Sequence, residues 1–168
     1  MAFYYFDASA PVKYYVTEPG SAWIRGLVED RDPFTFEWHH ILFTAEITRV
    51  EVAAGLAVIE RVGRIRRAQR EREYRRFISQ FAHRYFVVSL RTEDIEHAAD
   101  LTQRHPLKAY DAVQLAIALR CQEALAPASV SLTLVSGDRA LLAAARAEGL
   151  LTDDPFDHVA PEDAPPPS

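Results

Sequence analysis

The fold is decided by the stretch Ala2-Phe3-Tyr4-Tyr5-Phe6-Asp7-Ala8-Ser9. Apolar and aromatic residues, which favour β-strands, are followed at once by an acidic residue and then by a helical pattern over residues 8–16. We therefore predict a buried strand over residues 2–6, with Asp7 at its carboxyl end. In parallel α/β sheets that edge is where ligands bind.

Outward from this stretch, strand-like apolar segments alternate with helical patterns along the chain. The predicted strands cover residues 2–6, 41–44, 85–90, 130–135 and 150–151. The predicted helices cover residues 8–16, 21–30, 47–62, 65–83, 92–105, 108–124 and 139–148. Such alternation is typical of the α/β class with a mainly parallel sheet.

Composition and length indicate one globular domain, which we assign to residues 1–156. The chain has 168 residues, of which 49% are hydrophobic and 26% are charged. A Pro-rich, acidic tail over residues 157–168 is predicted to be disordered. No apolar run is long enough to cross a bilayer, and the single Cys121 fits a reducing compartment, so we expect a cytoplasmic protein without membrane partners.

Positive charge is concentrated in one segment although the net charge is −5. Nine of the 17 arginines fall between Arg61 and Arg84. Two interpretations are open at this point. The segment either binds a polyanion or forms a solvent-exposed helix with internal salt bridges.

Four acidic residues lie where apolar residues are expected. Asp7 and Asp138 each follow a predicted strand directly, and the alternative role for either is to cap the following helix. Glu51 lies within an apparent apolar stripe formed by Ile47, Val50, Ala54 and Val58. Asp111 interrupts an otherwise apolar helix near its N-terminus, where the helix dipole also favours an anion.

Taken together, the four acids suggest a site for a divalent cation. Burying a carboxylate costs several kcal/mol unless it is paired or neutralised, so convergence at one sheet edge requires a positive charge. Mg²⁺ and Mn²⁺ prefer carboxylate and water oxygens. The sequence has no His-x-x-x-His or Cys-x-x-Cys spacing that would indicate zinc.

The sequence resembles the PIN domain of the VapC toxin group in four segments. Residues 5–13 resemble the family's opening strand and first acidic motif, and residues 44–52 resemble the second, which carries Glu51. Residues 107–116 resemble the third motif with Asp111, and residues 135–145 the fourth with Asp138. The motifs follow in the expected order and spacing between Phe3 and Asp154.

The resemblance implies a three-layer α/β/α domain with a central sheet of about five strands. It implies a Mg²⁺- or Mn²⁺-dependent endoribonuclease that cleaves single-stranded RNA, leaving a 5′-phosphate and a 3′-hydroxyl. Asp7, Glu51 and Asp111 would hold the metal directly, and Asp138 directly or through water. Ser9 and Ser136 would assist by hydrogen bonding.

The resemblance also implies partners. The protein would be the toxin of a type II toxin–antitoxin pair, inhibited by a VapB-like antitoxin and assembled as a homodimer. RNA would lie along Arg64, Arg67, Arg75 or Arg76, unless these side chains pair with neighbouring glutamates. The alternative function is a non-catalytic PIN-like module that binds RNA or protein.

Overall fold

The computed structural model describes residues 1–164 and centres on a β-sheet. Its strands are β1 (Ala2–Phe6), β2 (His40–Ala45), β3 (Phe86–Val88), β4 (Leu132–Val135) and β5 (Leu151–Asp153). They form one five-stranded sheet in the order β3-β2-β1-β4-β5, and every neighbouring pair is parallel. The predicted α/β class and the predicted number of strands are confirmed.

Helices cover both faces of the sheet. They are α1 (Ser9–Tyr15), α2 (Ser21–Glu29), α3 (Thr48–Arg61), α4 (Arg67–His83), α5 (Thr92–Arg104), α6 (Ala109–Leu125) and α7 (Arg139–Ala147). Successive strand residues point to opposite faces, so Tyr5 packs in the core under α5, α6 and α7, whereas Phe6 packs in the core under α1 to α4. The three-layer arrangement is confirmed. Within residues 1–164, no helix has both the length and the apolarity that a bilayer crossing needs.

The predicted apolar stripe of α3 is wrong. Val50 is 63% exposed and Val58 is 50% exposed, and Ala54 is exposed as well. The buried face is the one formed by Thr48, Val52, Leu56 and Ile59. Because apolar and small residues occupy most positions of this helix, more than one face satisfies the 3.6-residue period, and only packing against the sheet selects between them.

The prediction of a disordered tail from residue 157 is wrong for residues 157–164. Short 3₁₀ turns form at Pro155–His158 and Pro161–Asp163. The carboxylate of Asp163 accepts hydrogen bonds from the backbone N–H groups of Gly20, at 2.8 Å, and Ala22, at 2.7 Å. An acid that satisfies free N–H groups at the start of α2 therefore outweighs the disorder-promoting composition. Residues 165–168 of the predicted tail lie outside the described residues.

Replacing Asp163 with Ala is expected to destabilise the protein by about 1–2 kcal/mol, because two N–H groups at the start of α2 lose their acceptor. Urea unfolding of the variant measures this loss. Glu162→Ala is the matched control, since Glu162 is the exposed neighbour in the same turn. An equal loss of stability in both variants would contradict the assigned role of Asp163.

Candidate metal-binding cleft

Asp7 lies at the carboxyl edge of the sheet, between β1 and α1. The strand register places Phe6 opposite Val135, which brings Asp7 beside Ser136. The Asp7 Oδ1 atom accepts hydrogen bonds from the Ser9 N–H (3.0 Å) and the Ser9 hydroxyl (2.6 Å), and Oδ2 accepts one from the Ser136 hydroxyl (3.0 Å). Burial nevertheless raises the pKa of Asp7 to about 6, although these hydrogen bonds lower it.

The same two serines connect Asp7 to the loop that carries Asp138. The Gly137 N–H donates to the Ser9 hydroxyl at 2.8 Å, and the Asp138 N–H donates to the Ser136 hydroxyl at 2.9 Å. Each hydroxyl therefore accepts from the loop and donates to Asp7. The two serines therefore fix the position of the loop that carries Asp138 relative to Asp7.

Asp138 caps α7, which was the alternative interpretation of this residue. Its Oδ1 atom accepts the N–H groups of Ala140 (2.8 Å) and Leu141 (3.0 Å). The other carboxylate oxygen has no hydrogen-bond partner among residues 1–164. Asp138 also lines the cavity described below, so one oxygen holds the helix and the other is free for a ligand.

Glu51 lies in the first turn of α3 and is half-buried. Its Oε2 atom accepts a hydrogen bond of 2.5 Å from the side-chain amide of Gln114. Burial, the largest cause, and the negative charges of Asp7 and Asp111 together raise the pKa of Glu51 to about 7, although the Gln114 hydrogen bond lowers it. The contact with Gln114 on α6 therefore sets the position of Glu51, and the predicted apolar stripe does not.

Asp111 lies in the first turn of α6 and is also half-buried. Burial raises the pKa of this carboxyl, the charge of Asp138 raises it further, and Lys108 lowers it. The negative charges of these acids therefore act on one another. Asp7 and Asp111 raise the pKa of Glu51, and Asp138 raises the pKa of Asp111. The structure brings all four predicted acids into one neighbourhood.

A cavity of about 520 Å³ opens beside these acids. Its charged lining residues are Lys13, Glu18, Glu51 and Asp138. Most of its other lining residues are small or apolar, among them Val12, Val58, Ile59 and Phe156. The cavity therefore combines charged and apolar groups near the carboxyl edge of the sheet.

The donor set fits a hard divalent cation by its chemistry. All four groups are carboxylates, and across residues 1–164 none of them forms an ion pair with lysine, arginine or histidine. Uncompensated carboxylates whose pKa is raised by burial and mutual repulsion are stabilised by a cation. In the described part of the chain no three acids already lie close enough to hold one ion together, so three-fold coordination requires side chains to move.

The basic segment is mostly a network of salt bridges. Arg67 pairs with Glu71 at 2.9 Å, and Arg76 pairs with Glu73 at 2.5 Å. Arg64 pairs at 2.9 Å with Glu18, which lines the cavity, whereas Arg75 forms no ion pair within the described range. Salt bridges within the helix, the alternative interpretation, therefore describe Arg67 and Arg76, whereas Arg64 is connected to the cavity through Glu18.

Sequence reasoning missed Gln114 and Phe156. A polar residue three positions after Asp111 in an apolar helix was a usable signal for Gln114, because residues at that spacing share a helix face. Phe156 offered no such signal, since it reaches the cavity only through the docked segment after β5. Its ring lies over the buried Lys13, with Nζ 3.9 Å from the ring centre.

Comparison with known proteins agrees with this geometry. The family model described as the PIN domain matches residues 4–146. A search of curated proteins gave no match.

Solved structures show the same fold at low sequence identity. PAE2754 from Pyrobaculum aerophilum is 19% identical with a TM-score of 0.57, covering 94% of this chain and 91% of that one. FitAcB from Neisseria gonorrhoeae is 15% identical with a TM-score of 0.56, covering 91% and 98%. VapBC2 from Rickettsia felis, bound to a DNA fragment from their promoter, is 12% identical with a TM-score of 0.54, covering 90% and 98%. The family model covers most of the chain, from residue 4 to residue 146, and this match establishes that the chain belongs to the PIN domain family.

Proposed function

We propose that this protein is a metal-dependent endoribonuclease that cleaves single-stranded RNA in the cytoplasm. One observation carries the proposal. Four carboxylates from four different parts of the chain lie near one another at the carboxyl edge of the sheet, and within residues 1–164 none forms a salt bridge, although Lys108 lowers the pKa of Asp111. Structural ion pairs do not explain such a set, whereas a catalytic divalent ion does.

In the proposed site, Asp7, Glu51 and Asp111 would hold Mg²⁺ or Mn²⁺, and the free oxygen of Asp138 would bind the ion directly or through water. When bound, the ion would supply an activated water and stabilise the charge that develops on the phosphodiester. Ser9 and Ser136 keep the Asp7 carboxylate ionised and oriented by donating hydrogen bonds to both of its oxygens. Hydrolysis leaves a 5′-phosphate and a 3′-hydroxyl.

We further propose that the protein is the toxin of a type II toxin–antitoxin pair with a VapB-like antitoxin. Family membership supports this, as does the similarity to FitAcB and to VapBC2, which is recorded with DNA from their promoter. A homodimer is proposed as well. The exposed side chains of Val50 on α3 and of Val62 directly after α3 are apolar groups that a second copy would contact.

Of the four arginines predicted to contact RNA, we propose Arg64 and Arg75 in preference to Arg67 and Arg76. Arg64 pairs with Glu18, which lines the cavity, and Arg75 forms no ion pair in the described range. Arg67 and Arg76 would have to exchange an intramolecular glutamate for phosphate. Guanidinium groups match phosphate oxygens in a bidentate geometry, so exchange at Arg64 brings phosphate toward the acids.

The test is incubation of the protein with a mixed RNA pool and Mn²⁺, followed by analysis of product ends. Wild type is expected to give fragments with 5′-phosphates, and excess EDTA is expected to stop the reaction. Glu51→Gln is expected to lose the activity, because a ligand charge is removed from the site. Glu46→Gln is the matched control, since Glu46 precedes the same helix but contacts the Leu90 N–H instead.

A non-catalytic PIN-like module that binds RNA or protein remains the alternative function. Mn²⁺ binding to wild type and to Asp7→Asn separates the two. A wild type that neither binds Mn²⁺ nor cleaves the RNA pool would overturn the nuclease proposal in favour of the binding module.

A further inference from the structure

A buried polar network connects the core of the sheet to Glu51. The Tyr5 hydroxyl donates to Gln114 Oε1 at 2.6 Å. Gln114 Nε2 then donates to Glu51 Oε2 at 2.5 Å and to the Thr48 hydroxyl at 2.9 Å. Tyr5 and Thr48 are 0% exposed and Gln114 is 1% exposed, so water does not compete for these groups.

The chemistry of the network allows one orientation of the Gln114 amide. A phenol hydroxyl donates to Oε1, and both hydrogens of Nε2 are used by Glu51 and Thr48. Turning the amide over would place Oε1 against a carboxylate oxygen, which is a contact between two acceptors. Leaving a buried carboxylate in such a contact costs free energy, so the Glu51 carboxylate selects the direction in which the N–H groups point, and the Tyr5 hydroxyl holds the amide there by donating to Oε1.

The network also joins the elements that carry the other acids. Gln114 lies one turn after Asp111 on α6. The Thr48 hydroxyl lies 2.9 Å from the Thr44 hydroxyl, which donates at 2.8 Å to the carbonyl of Phe6, the residue before Asp7. Hydrogen bonds thereby link Glu51 to α6, the helix that carries Asp111, and to Phe6, the residue before Asp7.

We propose that Gln114 is a positioning residue that presents the Glu51 carboxylate to the divalent ion, with Tyr5 holding its amide in place through the hydrogen bond to Oε1. This inference rests on the proposed function, because it assigns Glu51 to the metal site. Gln114 is the one side chain in the described range that donates a hydrogen bond to Glu51. Without it, the carboxylate is free to rotate away from Asp7 and Asp111, which repel it.

The first test is Gln114→Met, which keeps most of the buried volume and removes the amide. The dissociation constant for Mn²⁺, measured by titration calorimetry on the protein without RNA, is expected to rise about 10–100-fold, the usual effect of losing a group that orients a metal ligand. Gln122→Met is the matched control. Gln122 lies on the same helix, but its amide binds the backbone of Val130 and Leu132.

The second test is a double-mutant cycle with Glu51→Gln. If Gln114 acts through Glu51, adding Gln114→Met to Glu51→Gln is expected to change Mn²⁺ affinity less than about twofold. Independent, multiplicative losses would overturn the proposal. Tyr5→Phe, which keeps the ring in the core, is expected to weaken Mn²⁺ binding less than Gln114→Met does, and it provides the test if Gln114→Met does not fold.

The outcomes separate this inference from the proposed function. If wild type binds Mn²⁺ and cleaves RNA, but Gln114→Met and Tyr5→Phe bind Mn²⁺ as tightly as Gln122→Met, the positioning role is wrong and the nuclease proposal stands. If wild type binds no Mn²⁺, both are overturned. A selective loss of Mn²⁺ affinity at Gln114, absent in the Glu51→Gln background, supports both.

Discussion

Replacing Asp7 with Asn is expected to lower the rate of RNA cleavage by about 10³-fold or more and, at the same time, to stabilise the ion-free protein. The activity loss follows because a metal-held transition state is stabilised by several kcal/mol, and each 1.4 kcal/mol is about a factor of ten in rate. The stability gain follows because Asp7 is 6% exposed and has no cationic partner in the described range. Asn keeps the shape of the side chain and removes the buried charge.

The size of the gain comes from the raised pKa of Asp7. A pKa of about 6 in the folded protein means that ionised Asp7 costs on the order of 3 kcal/mol near neutral pH. Asn is expected to recover only part of this free energy. Its amide N–H groups are donors, and they would face the Ser9 or Ser136 hydroxyl that donates to the carboxylate in wild type. We expect a net gain of about 1–2 kcal/mol, or a rise of several degrees in melting temperature.

Asp94→Asn is the control with the opposite sign. Asp94 is 3% exposed like Asp7, but its carboxylate pairs with Arg120 through contacts of 2.7 and 2.8 Å. Removing one partner of a buried pair leaves the other without its counter-charge, so this variant is expected to lose about 1–3 kcal/mol. Thermal unfolding in EDTA measures both variants. A loss of stability in Asp7→Asn as large as that in Asp94→Asn would argue against an uncompensated acid at position 7.

The acids at the edge of the sheet could be predicted because their positions depend on residues adjacent in the sequence. A strand followed at once by an acid places that acid at the carboxyl end of the strand, and parallel strands bring their ends together. The positions of Asp7 and Asp138 could therefore be predicted from the strand assignments and a parallel sheet alone. The register that pairs Phe6 with Val135 then brings the two loops side by side.

Features that depend on tertiary contacts were not predictable in the same way. The buried face of α3 is selected by packing between several apolar faces, so Val50 and Val58 are exposed where burial was expected. The Gln114–Glu51 contact joins residues 63 positions apart in the chain. The docking of Asp163 on the start of α2 spans 143 positions and opposes the local composition. Each of these three features depends on a contact with residues far away in the sequence, which a local sequence pattern does not reveal.

The stability of the ion-free protein is expected to fall as the pH rises from about 4 to about 7. Burial raises the pKa of Asp7 to about 6 and that of Glu51 to about 7, both above the values near 4 of an unfolded chain. The folded protein therefore binds these protons more tightly than the unfolded chain does. The resulting stabilisation is complete below about pH 4 and is lost as the pH passes through the two raised pKa values.

Asp7 accounts for about 3 kcal/mol of this loss, and the half-buried Glu51 for less because water screens it. Thermal unfolding at a series of pH values in EDTA measures the change. The difference between wild type and an Asp7→Asn, Glu51→Gln double variant isolates it from other titrating groups. A double variant with the same pH slope as wild type would contradict the assignment.

Mn²⁺ is expected to offset most of the stability that is lost as the pH rises, and this effect links the raised pKa values to the proposed chemistry. The ion binds deprotonated carboxylates, so its affinity rises with pH and binding releases protons. At about 100 times its dissociation constant it adds about 2.7 kcal/mol, which offsets most of the loss from Asp7. Unfolding curves with and without Mn²⁺ should therefore diverge as the pH rises, and the divergence should vanish in the double variant. A constant offset at every pH would mean that Mn²⁺ binds elsewhere, since only a site made of acids with raised pKa values links ion binding to protons in this range.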